Sequence, residues 1–141
     1  MGAGGTAHGL GFVLNQAGAK VTFVNRTDVK AKNIANLFLA QWRSFSELKK
    51  IKKDDYDILI HTTSVGMKDK TVSLVPSNIL YPGKIVLDVV FNDTKLIQSA
   101  KEKKCVAYNG IDFWVDQAAL QFRLWHGLEA SATKEKMKKK F

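Results

Sequence analysis

Four short apolar runs set the tightest limit on what this chain can become: VTFV at 21–24, DILI at 57–60, IVLDVV at 85–90 and CVAY at 105–108. Each is too short for a helix and rich in β-branched side chains, so each is read as a strand. Helical periodicity fills the stretches around them. Residues 6–17 carry apolar or small side chains at helical spacing and stop at Gly18, a C-terminal cap. Thr27 or Asp28 caps a second helix reaching residue 39, with Ala31, Ile34, Ala35 and Phe38 on its inner face. Residues 94–103 and 115–128 supply two more helices, and Gln41-Trp42-Arg43 a short edge strand. Strands spaced by helices are joined by crossovers, which gives a doubly wound, mostly parallel α/β sheet covered on both faces. At 141 residues the chain suits one domain, placed at residues 1–131 with a basic tail at 132–141.

The chain opens on Gly2-Ala3-Gly4-Gly5-Thr6-Ala7, which fits G-x-G-x-x-G/A with Ala7 last. In a dinucleotide-binding turn the first glycine makes the bend and the second lets the backbone approach the pyrophosphate. The third small residue lets helix and strand pack closely, and the helix amino end then faces the phosphates. Glycine clusters also mark plain flexible turns, so the loop takes its meaning from its surroundings. Such a loop follows a buried central strand, yet only Met1 stands before it. Omitting that strand leaves two facing edges whose N–H and C=O groups cost about 1–3 kcal/mol each if buried unpaired. Total stability is only about 5–15 kcal/mol. Neighbouring strands close the gap, another chain supplies the strand, or the domain is barely stable. The expectation is a truncated gene product or a mis-called start, with the polypeptide extending upstream.

The second strand narrows the ligand. Dinucleotide folds carry an acid about 20 positions on, which holds the adenine ribose hydroxyls. Here the run ends Val24-Asn25-Arg26-Thr27, with an arginine and no acid. An acid would repel a ribose phosphate, whereas a guanidinium grips it through paired charge-assisted hydrogen bonds. Lys30, one helical turn on, adds a second positive charge. Unless Arg26 is simply a solvated strand-end residue, NADP is favoured over NAD.

The net charge of +9 gathers at Lys134, Lys136, Lys138, Lys139 and Lys140 and at Lys49, Lys50, Lys52 and Lys53, read as solvated faces. Basic residues do not interleave with stacking aromatics, so no nucleic-acid surface is expected, while anionic small molecules suit the charge. No run nears the roughly 18 apolar residues of a membrane span, and the amino end lacks a signal-peptide layout. A single cysteine, Cys105, excludes an internal disulfide; a reducing cytoplasm is the expected compartment. His8, His61 and His126 lack metal-ligand spacing, so no metal site is expected. Cys105 reads as a small buried hydrophobe, and Trp114, Phe122 and Trp125 as packing for the last helix.

Three further stretches follow the strands: HTTSVGM at 61–67, DVVFN at 88–92 and NGIDFWVDQ at 109–117. Together with GAGGTA and NRT they resemble, in order and spacing, the C-terminal NADP-binding domain of shikimate dehydrogenases. Quinate/shikimate enzymes and the dehydrogenase half of bifunctional dehydroquinate dehydratase–shikimate dehydrogenases share the pattern. The resemblance covers residues 2–127 and implies a Rossmann-like fold, here lacking its first central strand. It implies that Gly2, Ala3, Gly4, Gly5 and Thr6 cradle the pyrophosphate, and that Asn25, Arg26, Thr27 and Lys30 hold the 2′-phosphate end. Thr62 and Thr63 would lie along the cofactor. Val89 and Gly110 match positions that touch the nicotinamide, with Phe113 beside it where the family usually has methionine. Gln117 matches a glutamine that hydrogen-bonds the substrate from the start of a helix. Phe91 stands where many members place a tyrosine that reaches a substrate oxygen, so one polar contact is lost. His61 replaces a more usual asparagine. Read from the residues alone, Val89 and Phe91 are equally core-facing strand residues, Gln117 a helix cap, and Thr62 and Thr63 turn hydrogen-bonders.

The resemblance also implies an activity: hydride transfer between NADPH and 3-dehydroshikimate, in chorismate and aromatic amino acid biosynthesis. The family's proton relay is a lysine and an aspartate of a separate N-terminal substrate domain, so no catalytic residue is assigned here. Asp88 and Asp116 are paired with a lysine by no motif. The chain is expected to bind NADP and, only together with a substrate domain, shikimate or quinate. A catalytically inert NADP-binding module, acting as a partner or sensor domain, is the alternative.

Overall fold

The computed structural model describes residues 1–127 and 134–137. Among them run α1 (Gly5–Gln16), β1 (Thr22–Asn25), α2 (Asp28–Leu37), β2 (Gln41–Ser44), β3 (Ile58–His61), β4 (Ile85–Asp88), α3 (Lys95–Glu102), β5 (Val106–Tyr108) and α4 (Ile111–His126). Short 3₁₀ turns at Phe45–Lys50, Lys53–Asp55 and Ser77–Ile79 fill two of the connections. The expected alternation of strand and helix is therefore present, with α4 beginning four residues before the expected 115.

Every strand pairing is parallel, but the strands form two sheets, β1-β2 and β3-β4-β5. The neighbouring strands have not closed the gap. Met1 and Gly2 stand in it and touch both sides. The Gly2 N–H donates to the Val24 carbonyl at 2.9 Å, and the Thr62 N–H donates to the Met1 carbonyl at 2.7 Å. The Met1 amino group donates to the carbonyl of Ile60. In a parallel ladder these bonds set Met1 level with His61 and Gly2 level with Asn25. The rest of both edges is open. Val21 gives its carbonyl to Gln41 of β2, while Asp57 and His61 give theirs to Ile85 and to Val89 after β4. Alternation along each strand then aims the main-chain N–H and C=O groups of Thr22, Val24, Ile58 and Ile60 into the gap. Ile58 is 49% exposed and Thr22 is exposed, so solvent reaches these edges and the full cost of buried, unpaired groups is not incurred.

Helices cover both faces. Phe23 points to α1 and α2 and packs with Ala7, Ala31, Ile34 and Ala35. Val24, its neighbour, points the other way and joins Leu59, Val86, Leu48, Ile79 and the α3 residues Leu96 and Ala100. This second cluster passes beneath both sheets. Caps differ from expectation at α2: Thr27 holds the N-cap position but makes no side-chain bond, and the Asp28 carboxylate accepts instead from the Phe45 N–H at 3.2 Å. Thr94 does cap α3, accepting from the Ile97 N–H at 3.4 Å.

Two readings near the C-terminus need correction. Lys134 is paired with Asp116 at 2.9 Å rather than free in solvent. Trp125 is 73% exposed and packs little, whereas Trp114 has a polar task described below. Lys138, Lys139 and Lys140, the boundary at 131 and the helix end at 128 lie outside the described residues.

Candidate functional site

The carboxyl ends of β1, β3 and β4, with the amino ends of α1 and α4, converge on one side of the molecule. Crevices in open parallel sheets form at such ends. α1 starts there with Gly4 as its N-cap, and its first turn holds no acid. Its first intrahelical bond runs from the His8 N–H to the Gly4 carbonyl at 3.1 Å, so the amides of Gly5, Thr6 and Ala7 precede the ladder. A Cβ placed on Gly4 or Gly5 would meet no atom within 4 Å, which leaves the helix mouth clear. Gly2 is different. Its φ is 115° and a Cβ there would lie 2.4 Å from Thr62 Oγ1, so only glycine fits beside β3. An unobstructed, acid-free helix start fits the pyrophosphate of a dinucleotide.

At the end of β1, Asn25 Nδ2 donates to the Thr27 carbonyl at 3.1 Å and closes the turn into α2. Arg26, Thr27 and Lys30 are exposed along it. Among the described residues Arg26 has no hydrogen-bond or ion-pair partner, which leaves its guanidinium available to a ligand phosphate. This turn adjoins the glycine loop through the Gly2–Val24 bond.

After β3, the side chains of Thr62 and Thr63 are engaged within the protein. Thr62 Oγ1 donates to the Met1 carbonyl at 2.8 Å. Thr63 Oγ1 lies 2.6 Å from His61 Nε2 and accepts from the Val65 N–H at 3.2 Å. His61 is 2% exposed, and its Nδ1 lies 3.0 Å from Asp88 Oδ1. Asp88, fully buried, also accepts from the Val90 N–H at 3.1 Å and the Thr94 hydroxyl at 2.7 Å. Every donor meets an acceptor when His61 carries its proton on Nδ1: Val65 N–H to Thr63, Thr63 O–H to His61, His61 N–H to Asp88. This network ties the loop after β3 to the end of β4 and to α3. The sequence reading did not assemble it, although an acid inside the apolar run IVLDVV is a signal that partners must surround it.

Val89 follows β4 directly and is 6% exposed. Its carbonyl accepts from the indole N–H of Trp114 at 2.6 Å. Gly110 lies against it: a Cβ on Gly110 would sit 2.1 Å from the Val89 oxygen. The Gly110 N–H donates to the Val90 carbonyl at 3.0 Å. Phe113 is half-buried in the first turn of α4, edge-on to Trp114. Val89 and Gly110 are thus brought together, while Phe113 meets them only through its neighbour Trp114. Phe91 is 40% exposed beyond the strand, not a core-facing strand residue. Gln117 is exposed in the second turn of α4, neither at the helix start nor a cap. No group of His, Cys, Asp and Glu among the described residues is arranged to hold a metal, and Cys105 is half-buried, its Sγ donating to the Tyr81 carbonyl at 3.2 Å.

The shikimate dehydrogenase (NADP+) of Pyrococcus furiosus is 39% identical over 131 residues, 92% of this chain and 47% of that protein. The crystal structure of the Aquifex aeolicus shikimate dehydrogenase matches with a TM-score of 0.83 and 31% identity, over 96% of this chain and 50% of that one. Over nearly its whole length the chain is similar to the C-terminal half of shikimate dehydrogenases. A Thermus thermophilus member, solved in complex with NADP(H) and shikimate, matches with a TM-score of 0.81 and 26% identity, over 99% of this chain and 53% of that one. The chain spans about half the length of the shikimate dehydrogenases it matches. No family model matches it. No helix among the described residues is long and apolar enough to cross a membrane.

Proposed function

We propose that this chain is the NADP-binding part of a cytoplasmic shikimate dehydrogenase, acting on shikimate and 3-dehydroshikimate, or on quinate, together with a substrate domain. The observation that carries the reading is the pairing of an acid-free glycine loop with Arg26, where an acid would favour NAD. The likeness to enzymes named for NADP supports it. The first-turn amides of α1 bind the pyrophosphate, and Arg26 and Lys30 bind the 2′-phosphate. Val89, Gly110 and Phe113 wall the nicotinamide end and exclude water, with Trp114 fixing the Val89 carbonyl. Phe91 and Gln117 face the substrate side. Bound NADP supplies the hydride carrier; no residue here is assigned the proton transfer.

Titration of the chain with NADPH and NADH tests this. About 1.4 kcal/mol of phosphate contacts corresponds to at least ~10-fold tighter binding of NADPH. Arg26→Ala is expected to remove that preference and leave NADH binding unchanged. Equal affinity of the unaltered chain for both would overturn the reading. Adding a family substrate domain and assaying shikimate oxidation then separates an enzyme part from an inert NADP module.

A further inference from the structure

The turn that carries Arg26 also carries an acid. Asp28 is the first residue of α2 and the acid of its first turn, two positions beyond Arg26. Two positions span at most about 7 Å of chain, inside the screening length of about 8 Å. A free carboxylate there would repel a bound 2′-phosphate or pair with the guanidinium itself. Among the described residues Asp28 forms no ion pair. Its Oδ1 accepts instead from the Phe45 N–H at 3.2 Å, in a half-buried place at the end of β2. Phe45 begins the 3₁₀ turn after β2 and packs on the core cluster beneath both sheets, so this donor is held in place. Glu47, on the same segment, is engaged in the same way, accepting from the Ser44 N–H at 3.3 Å. The other end of the Arg26 turn is fixed as well. Asn25 is level with Ser44 in the β1–β2 ladder, and its side chain donates to the Thr27 carbonyl at 3.1 Å. Positions 25 and 28 are thus held by two consecutive residues, Ser44 and Phe45, with Arg26 on the short arc between them. An arc ordered before the ligand arrives loses less entropy on binding it.

We propose, on the NADP reading above, that Asp28 is a positioning residue for recognition of the 2′-phosphate. It acts through Arg26 in two ways. Its bond to Phe45 fixes the arc on which the guanidinium is mounted. The same bond keeps the carboxylate on a main-chain donor, so the guanidinium stays open to the phosphate.

Dissociation constants for NADPH and NADH, measured for the unaltered chain, Asp28→Ala and Asp28→Asn, test this. Asp28→Ala loses the acceptor and should weaken NADPH binding by about 3- to 10-fold, the cost of ordering one long side chain on binding. NADH affinity should stay unchanged. Asp28→Asn keeps an oxygen for the Phe45 N–H and drops the charge, so it should bind NADPH at least as tightly as the unaltered chain. In an Arg26→Ala background, Asp28→Ala should cause no further loss, because Asp28 acts only through Arg26. If Asp28→Ala does not fold, replacing the Phe45 amide by an ester removes the donor with both side chains intact and should give the same selective loss. An equal loss of NADH affinity overturns the proposal, and so does a loss in Asp28→Asn as large as in Asp28→Ala. A clear preference for NADPH that Asp28→Ala retains in full overturns the role of Asp28 alone. Equal affinity of the unaltered chain for both cofactors overturns the NADP reading and this role with it.

Discussion

At the scale of single residues, the buried His61–Asp88 pair has the largest predicted effect. Deleting the imidazole leaves the Thr63 hydroxyl proton without its acceptor and takes from the buried Asp88 Oδ1 one of its two donors, the Val90 N–H remaining. Two lost hydrogen bonds at about 1–3 kcal/mol each give an expected loss of about 2–6 kcal/mol for His61→Ala. It would be read as a lower urea midpoint at unchanged slope. His61→Asn, whose amide can still donate to Asp88, is expected to recover part of that loss. Residue identities were legible where one residue type has one use. The glycine demanded at position 2 and the arginine at 26 could be singled out from the sequence. Asp88 and His61 lie 27 positions apart, and nothing local to either says that they meet. Thr62 and Thr63 were legible as turn residues, but the groups that occupy their hydroxyls could not be.

Among the elements, α4 shows most clearly what periodicity misses. Its first turn is Ile111-Asp112-Phe113-Trp114, poor helix formers behind an N-cap, Gly110, that offers no side chain. Tertiary bonds fix the start: Gly110 N–H to Val90 and the Trp114 indole to Val89. Sequence reasoning therefore placed the helix late, and Gln117 at its beginning, an error of one turn. Gly110→Ala tests the packing. A Cβ at 2.1 Å from a carbonyl oxygen must push the backbone of β4 and α4 apart. The expected cost is about 1–3 kcal/mol or more, with a parallel loss of NADPH affinity as the Val89 wall moves. Retained stability in thermal unfolding would show that the two elements slide freely. The strands and α1 to α3 were legible to within a residue or two because their apolar spacing agrees with their packing, as Phe23 and Val24 on opposite faces illustrate.

For the whole molecule, Met1 is the backbone link between two sheets. Burial holds its ammonium down at about 5, against about 8 for an exposed amino terminus. Between those values the unfolded chain binds a proton that the folded chain does not, so stability rises with pH across that interval. Below about 5 the folded state bears the full cost of the buried charge; above about 8 it bears none. Unfolding midpoints measured at pH 5, 6, 7 and 8 should climb, and acetylating the amino group should flatten the part of the slope that Met1 contributes. That no strand of the described residues stands between β1 and β3 was legible from the sequence. That two residues would hold the place between them, and that β1 and β3 would stay apart, was not, because it depends on which atoms of both edges reach across.

A dinucleotide lying over the glycine loop would rest one end on the half that carries Arg26 and the other on the half that carries Val89. It would act as a splint across the seam. Its measured affinity would therefore include the work of aligning the two halves. Weak binding by this chain alone would report how loosely the seam is stitched, rather than any defect in the groups that grip the phosphates.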